Sequence, residues 1–279
     1  MTIAEALRGA SATLAAAGID TAELDAELLL RHVLGWGRAR LLAAARDPLP
    51  EVAAGPFAAL ITERATRRPL QHLTGTQAFW RHDFFVSPGV LIPRPETELL
   101  VETALELLRD VSAPIIVDVG TGSGCIAISL AMERPDARVI AVDVSATALD
   151  VARANAVRLG AANVRVLRGD LLSAVRGPVD LVVSNPPYVD PADRDSLMPE
   201  VRDHDPALAL FAPQGALALY ARLARQAAAV LRPGAALALE VGAGMAVNVV
   251  TQMAAAGLRP GAVHADLQEI ARVVTARRE

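Results

Sequence analysis

Hydrophobic and polar positions divide the chain into two differently patterned parts joined by an aromatic stretch. In residues 1–74 apolar side chains recur at helical spacing. "IAEALRGASATLAAAGI" carries them at 3, 7 and 14 and stops at Gly18. "TAELDAELLLRHVLG" opens with Thr21 as a candidate cap and ends at Gly35, and "EVAAGPFAALITERATRR" gives a further helix after Pro50. Residues 75–95 gather Phe79, Trp80, Phe84 and Phe85 in a loosely alternating run with a Pro-Gly turn, which predicts a β-hairpin linker. The helical pattern returns from Glu96 to about Arg109. Beyond 114, short apolar runs at 115–120, 138–143, 164–167, 181–184, 236–241, 262–265 and 272–275 alternate with amphipathic segments. That alternation predicts an α/β domain, a parallel sheet with helices on both faces. The expected layout is a small all-α domain at 1–74, a hairpin linker at 75–95 and the sheet domain at 96–279.

Composition narrows the function classes. With 53% hydrophobic and 21% charged residues, the chain reads as globular, not disordered. A net charge of -4 gives no basic field to gather nucleic acid, and the sequence contains no lysine, so all 27 basic residues are arginine. The one cysteine, Cys125, permits no internal disulfide or cysteine metal cluster and sits in an apolar context as a small buried hydrophobe. No metal is expected. The N-terminus lacks the basic start and apolar core of a signal peptide, and no uncharged apolar run approaches membrane-spanning length. The expectation is a cytoplasmic protein without a membrane partner.

Candidate chemistry begins after the first strand of the sheet. "VDVGTGSGC" places Gly120, Gly122 and Gly124, with Thr121 and Ser123 between them, where a strand gives way to a helix. Glycine there lets backbone approach a ligand closely. Asp143 ends the second strand, where its carboxylate can accept both hydroxyls of a ribose, and Asp170 follows the third. Two cofactors fit such a pattern. A nicotinamide dinucleotide calls for G-x-G-x-x-G and a pyrophosphate at the helix N-terminus. S-adenosylmethionine (AdoMet) has no phosphate, and the shorter G-x-G-x-G spacing together with Asp170 favours it.

"LVVSNPPYVD" closes the argument. A strand ends abruptly on Asn185, Pro186, Pro187 and Tyr188. Neither proline can continue a ladder. A planar –NH2 group is a poor nucleophile because its lone pair is delocalised. The Asn185 side-chain oxygen and the Pro186 carbonyl can accept its two hydrogens, and Tyr188 can lie against its flat face. Held in that way, the nitrogen is aimed at the AdoMet methyl, and charge developing on it is stabilised. Asn185, Pro186 and Tyr188 are therefore the candidate catalytic residues, with Pro187 beside them.

The sequence resembles the HemK-type family, the release factor glutamine N5-methyltransferases. The matching stretches are "PLQHLTG", "IPRPETE", "DVGTGSG", "AVDVS", "GDLL", "SNPPYV", "HDPALAL" and "LEVG", spread over nearly the whole chain. The resemblance implies an AdoMet-dependent methyltransferase with a Rossmann-like sheet. Its substrate would be the glutamine of the Gly-Gly-Gln motif in class 1 peptide-chain release factors, gripped by the N-terminal domain. It implies that Gly120 to Gly124 and Asp143 hold AdoMet and that Leu171, beside Asp170, lines the adenine pocket. It further implies that Asn185 to Tyr188 hold the amide, that Asn185 also borders the cofactor, and that Leu91 touches the substrate side chain. The acidic residues of "IPRPETE" fit the first turn of a helix without a catalytic role, and His204 and Asp205 order a loop over the site. Met245 stands where the family often has glutamine, Glu269 where glycine is usual, and Asp205 where glutamate is. The rivals are an exocyclic-amine methyltransferase on DNA or RNA, which must also bind phosphates and extract a base, and a protein that keeps AdoMet without catalysis.

Overall fold

The structure, a computed structural model, describes residues 1–212 and 214–279. It separates into two units, Met1–Thr76 with Leu197–His204, and Gln77–Ser196 with Asp205–Glu279.

The first unit is helical. Its main helices are Ile3–Ala16, Ala22–Leu34 and Glu51–Ala65. Ile3, Leu14, Leu29, Leu30, Leu41, Phe57 and Ile61 meet in one apolar cluster, because their helical spacing puts them on the inward faces. Thr2 caps the first helix in a reciprocal box with Glu5, and Gly35 closes the second at φ 64°. Thr21 does not cap backbone as expected: its hydroxyl donates to Asp25 Oδ1 at 2.9 Å. Asp25 is thereby oriented toward Arg64, whose Nε donates to Asp25 Oδ2 at 2.7 Å. Arg64 also reaches Glu200 Oε1 at 3.0 Å, so the short segment Leu197–His204 is tied to this unit rather than to the sheet that flanks it in sequence.

The hairpin comprises β1 (Thr76–Phe79) and β2 (His82–Phe85). Its turn falls at Trp80, not at the Pro-Gly pair the sequence offers, which follows β2. Trp80 takes a left-handed φ of 56° there. Two acceptors hold it: Glu98 Oε1 takes its N–H at 2.6 Å, and Glu133 Oε1 takes its indole N–H at 2.8 Å.

Seven strands form the main sheet: β3 (Ile115–Val119), β4 (Arg138–Asp143), β5 (Val164–Arg168), β6 (Val179–Ser184), β7 (Leu231–Glu240), β8 (Leu258–Ala265) and β9 (Ala271–Arg278). Their order is β5-β4-β3-β6-β7-β9-β8. All neighbours are parallel except around β9, which runs antiparallel to β7 and β8. Both faces are covered, so residues alternate between two apolar layers rather than between core and water. Ile116, Leu181, Val183 and Ala238 point into one layer; Val117, Val119, Val182 and Leu237 point into the other. Strand order reverses between β3 and β6, which makes the ends of those strands the place for a ligand.

The β8–β9 turn explains one departure from the family pattern. Glu269 has φ 61°, a conformation that costs an L-residue roughly 1–2 kcal/mol. Asp266 fixes it by accepting the N–H groups of Gln268 and Ile270 at 2.9 and 3.0 Å. Replacing Glu269 by glycine stabilises the protein by about 0.5–1 kcal/mol, the relief being offset in part by unfolded-chain entropy. Denaturant unfolding of the two forms checks this, and an unchanged or lower midpoint rejects it.

Candidate active site

Val119 and Ser184 end neighbouring parallel strands in register. The Ser184 hydroxyl donates to the Val119 carbonyl at 2.7 Å and is fully buried. This holds the two loops leaving the switch point side by side.

The loop after β3 is shaped from below. Asp118 is buried and accepts the Thr121 hydroxyl at 2.6 Å and the Ala127 N–H at 3.2 Å. Burial pushes its carboxyl up to about 7, with Thr121 and Ala127 working against that shift. Gly120 and Gly122, at φ 70° and 54°, bring backbone to a cavity of about 400 Å³. Gly124 is different. A Cβ there would lie 2.9 Å from Ile128 Cδ1 and 3.3 Å from Ala152 Cα, so this glycine permits packing between helices. Thr121 and Ser123 face inward as well: the Ser123 carbonyl accepts from the buried Asn155 amide at 2.9 Å.

Asp143 lines the same cavity. Its Oδ2 accepts the Gly122 N–H at 3.0 Å and its Oδ1 the Ser145 N–H at 2.9 Å. A carboxylate has about four acceptor positions, so lone pairs are left for a diol. Asp170 and Leu171 form the adjoining wall. Leu171 is held at φ 52°, and the next N–H, of Leu172, donates to Gln226 at 2.9 Å. Arg222, which no sequence pattern marked, pairs with Asp170 at 2.8 Å. Both side chains are well exposed, so the pair contributes no more than about 1 kcal/mol.

Asn185, Pro187 and Leu91 complete the cavity, with Pro206, Leu208 and Phe211 closing one side. The sequence therefore placed Gly120, Gly122, Asp143, Asp170, Leu171, Asn185, Pro187 and Leu91 around one space. Thr121, Ser123, Gly124, Pro186 and Tyr188 lie beside it without lining it. Pro186 is buried. Tyr188 is half-buried against Gly242, where an added Cβ would stand 2.9 Å from the Tyr188 ring and 3.1 Å from Met245 Sδ. Burial, then the charge of Glu240, raises the Tyr188 hydroxyl.

"IPRPETE" supplies contacts on both sides of the cavity-lining Asn185. Arg94 donates to Asp205 at 2.7 Å, with the Asp205 side chain buried; burial pushes Asp205 up to about 6 despite Arg94 and the Ile92 N–H. Thr97, which sequence reasoning passed over between the acidic residues, accepts the Asn185 side-chain N–H at 3.1 Å. Cys125 is buried and its thiol is pushed up to about 12 by desolvation. Among the described residues no group of three or more His, Cys, Asp or Glu is arranged to hold a metal, and no helix is long and apolar enough to cross a membrane.

The residues present fit AdoMet: an apolar-walled cavity, a glycine backbone and a carboxylate with spare acceptor positions, and, among the described residues, no cluster of cations for a pyrophosphate. Residues 95–232 match the methyltransferase small domain model. A 16S rRNA methyltransferase of T. thermophilus, solved with AdoMet and guanosine, superposes with a TM-score of 0.52 at 20% identity, covering 73% of this chain and 50% of that one. At that identity the likeness concerns the fold. The protein is an AdoMet-dependent methyltransferase of the Rossmann-like class.

The full-length comparisons go further. Residues 5–75 match the PrmC N-terminal domain model. A release factor glutamine methyltransferase of Cereibacter sphaeroides is 45% identical over 99% of this chain and 99% of its own length. One of Deinococcus radiodurans is 43% identical over 100% and 99%. The chain belongs to the release factor glutamine methyltransferase family.

Proposed function

We propose that the enzyme transfers the AdoMet methyl group to the side-chain amide nitrogen, N5, of the glutamine in the Gly-Gly-Gln motif of class 1 release factors. The observation that carries this is the shared cavity: Asn185 and Pro187 line the same space as Gly120, Gly122 and Asp143. AdoMet, when bound, supplies an electrophilic methyl on a sulfonium sulfur. Gly120 and Gly122 leave room for it at the loop, Asp143 accepts its ribose hydroxyls, and Leu171 with Asp170 borders the adenine. Because the Asn185 Nδ2 is engaged by Thr97, its Oδ1 is free to accept one hydrogen of the glutamine amide. The Pro186 carbonyl accepts the other. Pro187 and Tyr188 press on the flat amide, and Leu91 touches the aliphatic stem.

Held in this way, the nitrogen lone pair would be aimed at that methyl to form the N–C bond, and the C–S electron pair would leave with sulfur as a neutral thioether. One amide proton is then lost to water. Alignment supplies most of the catalysis, with effective molarities worth roughly 7–11 kcal/mol at best. In this reading residues 1–74 recognise the release factor, 75–95 link and 96–279 catalyse, in the cytoplasm and with no nucleic acid as substrate. The names of the full-length relatives and the net charge of -4 support a protein substrate over a base.

Labelled AdoMet offered with a class 1 release factor, the same factor with its Gly-Gly-Gln glutamine changed to alanine, and mixed DNA and RNA tests this. Label enters the first alone. Label in nucleic acid transfers the chemistry to an exocyclic amine, and bound AdoMet with no label anywhere rejects catalysis.

A further inference from the structure

Asn185 can do its work only in one of its two flipped orientations. An amide presents an oxygen and an NH2 of nearly the same shape, and only the oxygen can accept a hydrogen from a glutamine amide. What decides the orientation is the partner on the other side. That partner is Thr97 Oγ1, 3.1 Å from Asn185 Nδ2. A hydroxyl can donate as well as accept, so Thr97 by itself does not decide.

Behind Thr97 stands Glu240, at the end of β7. Thr97 and Glu240 are each 3% exposed. Ser184 pairs in register with Leu239, so Asn185 and Glu240 leave neighbouring strand ends together. Thr97 and Asn185 both work against the rise that burial gives the Glu240 carboxyl, and its Oε2 has no hydrogen-bond partner among the described residues. A buried carboxylate with an open oxygen is costly unless donors face it. An ionised carboxylate can only accept. It therefore draws the Thr97 hydroxyl hydrogen toward itself, leaves Thr97 Oγ1 as an acceptor, and fixes Asn185 with Nδ2 inward and Oδ1 toward the cavity. A protonated Glu240 can donate to Thr97 instead, and the hydroxyl is then free to donate to Asn185 Oδ1, which turns the amide the wrong way.

We infer that Thr97 and Glu240 are positioning residues that orient the Asn185 amide for the transfer reaction. The inference rests on the function proposed above but concerns a relay contained in the enzyme. Burial, which raises the Glu240 carboxyl to about 7, gives the relay a titration within the working range. The charged and titratable groups around it are Arg272 on β9 and Thr97's neighbour Glu96, with opposing effects, together with Tyr188, Tyr220 and Cys125. Asp118, also near 7, Asp205, near 6, and Asp180, paired with Arg232, are the other buried acids among the described residues of this unit. The ionised form is the productive one, so kcat rises with pH through about 7.

Three variants of the full-length enzyme test the relay: Thr97→Val, Thr97→Ser and Glu240→Gln. Wild-type enzyme assayed alongside on the release factor controls for the function itself, since absence of label there bears on the substrate and not on the relay. Thr97→Val lowers kcat by roughly 10–100-fold, with AdoMet affinity and melting temperature near wild type, and Thr97→Ser keeps most of the rate. Glu240→Gln, which still offers an acceptor oxygen but cannot titrate, loses the acid limb of the kcat–pH profile. A second readout needs no substrate: in 15N-labelled protein the Asn185 side-chain NH2 signals shift with a midpoint near 7 in wild type and stay fixed in Glu240→Gln. Equal loss of rate in Thr97→Val and Thr97→Ser, or an acid limb and an Asn185 titration unchanged in Glu240→Gln, overturns the inference.

Discussion

Replacing Asn185 with alanine lowers methyl transfer to a release factor by roughly 10²–10³-fold, the range seen when one preorganised hydrogen-bond partner of a developing charge is removed. The loss falls on kcat. The Asn185 oxygen meets the substrate nitrogen most strongly as that nitrogen becomes cationic, so it favours the transition state over bound substrate. AdoMet binding weakens without disappearing, because Asn185 is one wall of a cavity whose other contacts, Gly120, Gly122, Asp143 and Leu171, stay in place. Buried Ser184 and its bond to Val119 lie under the backbone of the loop, so the strand end keeps its shape. Steady-state kinetics with calorimetric AdoMet binding separates the two effects. Full turnover by the alanine variant rejects the acceptor role, and loss of AdoMet binding equal to the loss of rate makes Asn185 a cofactor residue only.

The central strands β3, β4 and β6 were legible because each is a short, largely buried apolar run; β8, mostly exposed, was legible only over its last residues. The cavity walls at Gly120, Asp143 and Asn185 were legible because each sits at the end of a parallel strand, and the doubly wound order brings such ends together. What stayed hidden depends on partners distant in sequence. Thr97 looked like part of a charged helix start, since its contact with Asn185 spans 88 positions. Glu240 lies within the apolar run 236–241, and nothing local marks the burial of its carboxyl. The hairpin turn was misplaced because Pro-Gly is a strong local turn signal, whereas the left-handed Trp80 is held by Glu98 and Glu133, contacts only the folded chain supplies. Gly124 read as a ligand glycine by spacing and by resemblance; the fold adds a packing demand, since a Cβ there would meet Ile128 and Ala152.

Replacing Arg64 with alanine destabilises the N-terminal unit by about 3–5 kcal/mol, the cost of removing one partner from a buried ion cluster. Arg64 is 5% exposed. It bonds Asp25 at 2.7 Å and Glu200 at 3.0 Å, and donates to the Arg68 carbonyl at 3.1 Å. Burial alone raises the Glu200 carboxyl; its own backbone N–H, Arg67 and Arg64 more than offset this and hold it below the usual carboxylate range. Without Arg64, Asp25 retains only the Thr21 hydroxyl, and Glu200 retains Arg67 at 2.8 Å. The damage is therefore greater at Asp25 than at Glu200. Hydrogen exchange localises it: amides of Ala22–Leu34, Glu51–Ala65 and Leu197–His204 lose protection, while the sheet strands β3 to β9 keep theirs. Changing Arg64 to methionine together with Asp25 to leucine recovers part of the loss, since an apolar pair of similar volume carries no stranded charge, although Glu200 is still one cation short. A melting temperature unchanged in Arg64→Ala, or protection lost evenly across both units, shows that the cluster does not hold the helical unit together. The size of the effect follows from connectivity as well as charge. Leu197–His204 lies in sequence between Tyr188 and the cavity-lining Pro206, and the carboxylate of its Glu200 is what fastens it to helices more than a hundred residues upstream.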